Sequence, residues 1–104
     1  MNVEELQVAA FEIILNSGNA RSIVHEGFEA MRKGDYDLAA QKLEAANEEL
    51  LKAHQSQTHL LQEYAGGTEI KIEIIMVHAQ DHLMTTMTLR EVALEMLELY
   101  KKVD

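Results

Sequence analysis

Apolar residues recur at spacings of three and four along three separate stretches of this chain. In the first, Val3, Leu6, Ala10, Ile13, Ser17, Ala20, Val24, Phe28 and Met31 fall on one stripe, which predicts an amphipathic helix over about 3–32. Asn16-Ser17-Gly18-Asn19 lies in the middle of it. A kink or local loosening is expected there, because Gly costs about 1 kcal/mol relative to Ala in a helix. Lys33-Gly34-Asp35 then punctuates the chain. Gly34 suits the left-handed position after a helix, and Asp35 is a good N-cap for the next one. The second stripe, Ala39, Leu43, Ala46, Leu50, Ala53, Gln57, Leu60 and Tyr64, predicts a helix over about 35–64 that ends at Gly66-Gly67. Thr68 is expected to cap a third helix over about 69–102, roughly 50 Å long at ~1.5 Å per residue.

The third helix differs from the other two. A surface helix needs one apolar stripe, and this one has close to two. Ile72, Ile75, Ala79, Leu83, Ala93, Leu94 and Leu97 form one side, and Ile74, Leu89, Val92, Met96 and Leu99 form another, centred on His78. Glu73, Gln80, Glu91, Glu95, Glu98 and Lys102 occupy the arc left over. Two covering helices can bury only one of these sides, so the rest calls for another subunit or a partner. The predicted fold is all-α, an antiparallel three-helix bundle that associates through its third helix. The absence of Pro and the abundance of Ala, Glu, Leu and Met agree with it.

Charge narrows the partners. The net charge is −9, from 18 acidic and 9 basic residues. Such a surface disfavours nucleic acid and anionic lipid. It suits a partner with a basic docking face, or simply solubility. With no cysteine there is no disulfide or thiolate chemistry. No segment approaches the ~18 uninterrupted apolar residues of a membrane span, and the acidic start, Met1-Asn2-Val3-Glu4-Glu5, does not read as a signal sequence. A cytoplasmic protein without direct membrane insertion is expected.

Chemistry concentrates in Val77-His78-Ala79-Gln80-Asp81-His82-Leu83-Met84-Thr85-Thr86. His78, Asp81 and His82 stand at i, i+3 and i+4, which predicts that they share one face of a helix and point the same way, amid apolar residues. Ionisable groups in that setting cost free energy unless they are paired, liganded or used. Three readings compete. Two imidazoles and a carboxylate can bind a divalent ion, with a symmetric oligomer supplying further ligands. His78 can act as a nucleophile toward phosphorus, with Gln80, His82 and the threonine hydroxyls donating to the phosphoryl group. Or the histidines are hydrogen-bonded residues of a helix interface and nothing more. His25, His54 and His59 carry weaker signals. No P-loop, dinucleotide fingerprint or Ser/His/Asp ordering is present.

The same ten-residue string resembles the lactose/cellobiose type of enzyme IIA, a component of the bacterial phosphoenolpyruvate-dependent sugar phosphotransferase system. Asn19-Ala20-Arg21-Ser22 and Ala53-His54-Gln55-Ser56-Gln57-Thr58 resemble further family segments, so the likeness spans nearly the whole chain. It implies a single IIA domain over 1–104 and a homotrimer of three-helix bundles. It implies that His78 is the phosphorylated nucleophile and that Gln80 and His82 support it, in a groove between neighbouring subunits. Asp81 matches a carboxylate on the trimer axis, where three copies can bind one divalent cation, taken as Mg2+. The implied partners are the histidine-containing phosphocarrier protein, which donates the phosphoryl group, and a cysteine of enzyme IIB, which receives it. The implied sugar is a β-linked disaccharide, cellobiose/chitobiose or lactose. Ala79 lies where some lactose-type members have Gly, which favours a β-glucoside. The rival function is a metal-binding structural or interaction trimer without phosphoryl transfer.

Overall fold

A computed structural model describes residues 1–104 as three helices of 30 residues each: α1 (Val3–Arg32), α2 (Tyr36–Ala65) and α3 (Ile74–Val103). They form an antiparallel up-down-up rod measuring 53 × 20 × 19 Å. A capping box starts α1. The Asn2 side chain accepts from the Glu5 N–H at 2.8 Å, and the Glu5 carboxylate accepts from the Asn2 N–H at 3.2 Å. The helix runs unbroken through Asn16-Ser17-Gly18-Asn19, so the expected loosening does not interrupt it. Ser17 is fully buried and Gly18 faces α3, and this packing overrides the weak local propensity.

Two glycines in the left-handed region end α1 and α2. At Gly34 (φ 78°) the Asp35 N–H donates back to the Ala30 carbonyl at 2.9 Å, and Asp35 then caps α2 by accepting from the Leu38 N–H at 3.2 Å. At Gly67 (φ 97°) the Thr68 N–H donates to the Glu63 carbonyl at 3.0 Å, and the Thr68 hydroxyl donates to Glu63 Oε2 at 2.9 Å. Thr68 is therefore bound to the end of α2 and does not cap α3, which begins at Ile74 and not near residue 69. In between, Glu69-Ile70-Lys71-Ile72-Glu73 alternates charged and β-branched residues, a pattern poorly suited to a helix.

The core lies along the common axis of the three helices. Alanines at 10, 20, 39, 46, 53, 79 and 93 are fully buried, which lets the helices approach closely. Ile13, Val24, Leu43 and Leu83 fill the space between them. Arg90 ties α3 to α2, its Nε donating to the Leu43 carbonyl at 2.7 Å. The inward side of α3 carries Ala79, Leu83, Thr86, Ala93 and Leu97. Its outward side stays uncovered: Ile74 is 86% exposed, Val77 53%, Met84 50%, Val92 49% and Leu99 58%. The two-sided third helix expected from the sequence is present.

Candidate functional site

His78, Asp81 and His82 lie in the first half of α3. At ~100° per residue, Asp81 and His82 flank His78 on opposite sides, roughly 100° apart around the helix. The three residues therefore meet different surroundings. His82 is half-buried and faces α1: a β-carbon placed on Gly18 would sit 3.8 Å from His82 Nε2. His78 is exposed at the rim, its ring centroid 5.9 Å from that of His82 with the planes inclined at 47°. Asp81 is exposed on the outward apolar face, between Val77 and Met84.

Gln80 occupies the opposite flank. It is half-buried, its Nε2 donates to Met76 Sδ at 3.6 Å, and it lines an apolar hollow with Leu60, Leu61, Tyr64 and Ile72. Within one chain the fold thus brings His78 and His82 together but leaves Gln80 on the α2 side. No three His, Asp or Glu side chains of one chain converge in a way that could hold a metal ion. A cation at Asp81 therefore needs donors from further copies. Its fit rests on a hard oxygen donor standing unpaired in an apolar face, suited to an oxygen-liganded divalent ion.

Thr86 carries no individual assignment in the sequence reading. It is fully buried, and its Oγ1 lies 3.3 Å from His82 Nδ1. Its place one turn after His82 was the available signal. The second-helix histidines do not join the site: His54 pairs with the Thr58 hydroxyl at 3.4 Å and His59 lies 3.9 Å from Glu63. His25 is exposed and packs against Phe28.

Comparison with known proteins defines the class. The family described as PTS system, Lactose/Cellobiose specific IIA subunit matches residues 8–101. Among solved structures, PtcA from S. mutans superposes with a TM-score of 0.97 at 85% identity, over 97% of this chain and 99% of that one. The lichenan-specific phosphotransferase enzyme IIA component of Bacillus subtilis (strain 168) is 48% identical over 96% of this chain and 91% of its own. The chitobiose IIA of Escherichia coli, solved in complex with HPr, superposes with a TM-score of 0.81 at 36% identity over 94% of this chain and 95% of that one. The chain belongs to the lactose/cellobiose-specific IIA family of the sugar phosphotransferase system. No helix is long and apolar enough to cross a membrane.

Proposed function

We propose that this protein is a phosphoryl carrier that accepts phosphate on His78 from the histidine-containing phosphocarrier protein and passes it to a cysteine of enzyme IIB. The observation that carries this reading is an exposed imidazole at the rim of α3 beside a second, half-buried one whose ring lies 5.9 Å away. In-line transfer requires an unobstructed path to phosphorus on one side of the nucleophile, and His78 has it. The free ring nitrogen of His78 attacks the phosphorus of the donor phosphohistidine. One P–N bond forms as the donor's P–N bond breaks, and the donor ring keeps the electron pair. In the second step the IIB thiolate attacks the same phosphorus, and the His78 P–N bond breaks. His82 stands where it can hydrogen-bond the phosphoryl oxygens. The family's solved complex of chitobiose IIA with HPr supports the choice of donor.

The assembly we propose is a homotrimer packed through the outward face of α3. A three-fold interface is heterologous, so the α1 flank of one subunit faces the α2 flank of the next. This arrangement gives Gln80, which cannot reach His78 of its own chain, a route to the neighbour's. Asp81 falls near the axis, where three copies hold one divalent cation, best suited to Mg2+. The cation would supply charge compensation for the carboxylates and take no part in the transfer. The sugar we propose is a β-linked disaccharide, cellobiose or chitobiose ahead of lactose. Ala79 and the lichenan-specific relative support that order.

Reconstitution tests the carrier reading. With phosphoenolpyruvate, enzyme I and the phosphocarrier protein, wild type should gain one acid-labile phosphate per chain. His78→Gln should gain none while staying helical, and His82→Gln should still be labelled, more slowly. Metal uptake by a wild-type trimer that takes no label would instead establish the structural reading.

A further inference from the structure

We infer that Thr86 is a positioning residue that fixes the tautomer of His82, so that an N–H donor and not a lone pair faces the groove beside His78. The inference rests on the transfer role proposed above for His78.

Three neighbouring threonines of α3 use their hydroxyls differently. Thr85 Oγ1 donates to the Asp81 carbonyl at 2.7 Å, and Thr88 Oγ1 donates to the Met84 carbonyl at 3.2 Å. These are ordinary back-bonds to the preceding turn. Thr86 alone is turned away from the backbone. Its one hydrogen-bond partner is His82 Nδ1, at 3.3 Å, and its side chain is shut off from solvent.

That geometry has two possible proton arrangements. If Nδ1 carries the proton, it donates to Thr86 Oγ1, and the threonine hydroxyl hydrogen is left inside the core with no acceptor. An unsatisfied buried donor disfavours that form about tenfold or more. If the Thr86 hydroxyl donates to Nδ1, both groups are satisfied and the imidazole proton resides on Nε2. The second arrangement wins by that margin. Nε2 is the nitrogen on the Gly18 side, where that residue has no side chain to meet it and even a β-carbon would stand 3.8 Å away. It is therefore free to donate to a phosphoryl group carried on the His78 ring. The other tautomer would turn a lone pair toward that anion.

The test reads the ring directly. Long-range 1H–15N spectra of the 15N-labelled protein, recorded above the observed titration of the ring, report which His82 nitrogen is protonated. Wild type should show the Nε2–H form, Thr86→Ser should keep it, and Thr86→Val should lose its dominance. Transfer to His78 should slow about tenfold in Thr86→Val, the worth of one good hydrogen bond, and Thr86→Ser should recover to within about twofold. A purely structural role for Thr86 would change melting temperature without moving the tautomer. An Nδ1–H form in wild type overturns the inference even if Thr86→Val fails to fold. So does a Thr86→Val protein whose tautomer matches wild type. A wild type with the Nε2–H tautomer but no label on His78 would remove the phosphoryl role of the ring and leave the Thr86–His82 assignment standing.

Discussion

Replacing Asp81 by leucine separates the two costs that meet on the outward face of α3. Along that face Val77 is 53% and Met84 50% exposed in the isolated chain. Covering the remaining half of each contributes about 0.75–1.5 kcal/mol per side chain, and so about 1.5–3 kcal/mol per chain, from the ~1.5–3 kcal/mol for full burial of such a side chain. The Asp81 carboxylate between them works in the opposite direction. In the proposed trimer, losing its water on assembly costs several kcal/mol if it stays charged, and two more carboxylates would converge on it. The proposed divalent cation would offset that cost, so chelation should lower the melting temperature of wild type. The drop should be about 4–8 °C for each kcal/mol lost per chain. Asp81→Leu removes the charge and adds another ~1.5–3 kcal/mol of apolar burial per chain. That variant should bind no axial metal, melt at or above the wild-type temperature, and be indifferent to chelator. It should still accept phosphate on His78. The assay is thermal melting of both proteins with and without chelator, alongside sedimentation equilibrium and metal analysis. The reasoning is refuted if Asp81→Leu sediments as a monomer. It is refuted equally if wild type ignores the chelator after metal analysis shows the ion has left.

Three further outcomes are expected. Gly18→Ala should raise stability by about 0.5–1 kcal/mol, the helix-propensity difference, because the new methyl meets His82 Nε2 at 3.8 Å, an ordinary contact; chemical denaturation will show the gain, and the labelling rate of His78 should fall because the methyl crowds that nitrogen. Leu83→Ala should cost about 2–5 kcal/mol in the same denaturation assay, since Leu83 is fully buried. Glu29 has its carboxyl held below the usual 4.5, chiefly by its hydrogen bond from Lys33 and then by that residue's charge. Its small stabilising effect is therefore present above pH 4.5 and fades as the pH falls through the lowered value. Melting curves of wild type and Glu29→Gln should accordingly differ near pH 7 and converge in acid.

The stripes of α1 and α2 were legible because a single buried face sets their period. Leu6, Ala10, Ile13, Ala20 and Val24, and then Ala39, Leu43, Ala46, Leu50 and Ala53, all lie in the core as read. Val3 and Tyr64, at the ends of those stripes, are 46% and 68% exposed, because a stripe outruns its partner helices at the ends of a rod. The start of α3 was misplaced because Thr68 can cap in either direction. Its hydrogen bonds to Glu63 settle the choice, and those depend on the left-handed turn at Gly67. The histidine cluster was legible as a cluster, but its division was not. Spacing alone put His78, Asp81 and His82 on one side of a helix. Which flank meets α1 and which stays bare depends on how the bundle is rotated. The pairing of Thr86 with His82 stayed hidden for the same reason: one threonine in a run of polar residues looks like any other until burial singles it out.

If the bare outward side of α3 assembles as proposed, the protein's behaviour depends on how much of it is present. For three chains in equilibrium with a trimer, each tenfold dilution shifts the balance by about 2.7 kcal/mol per trimer, or about 0.9 kcal/mol per chain. Loss of assembly and loss of fold are then coupled through mass action, and the melting temperature of the chain rises with its concentration. The proposed groove completed by two subunits would exist only above the concentration at which they meet. A cell that makes less of this chain would lose more than a proportional number of working sites.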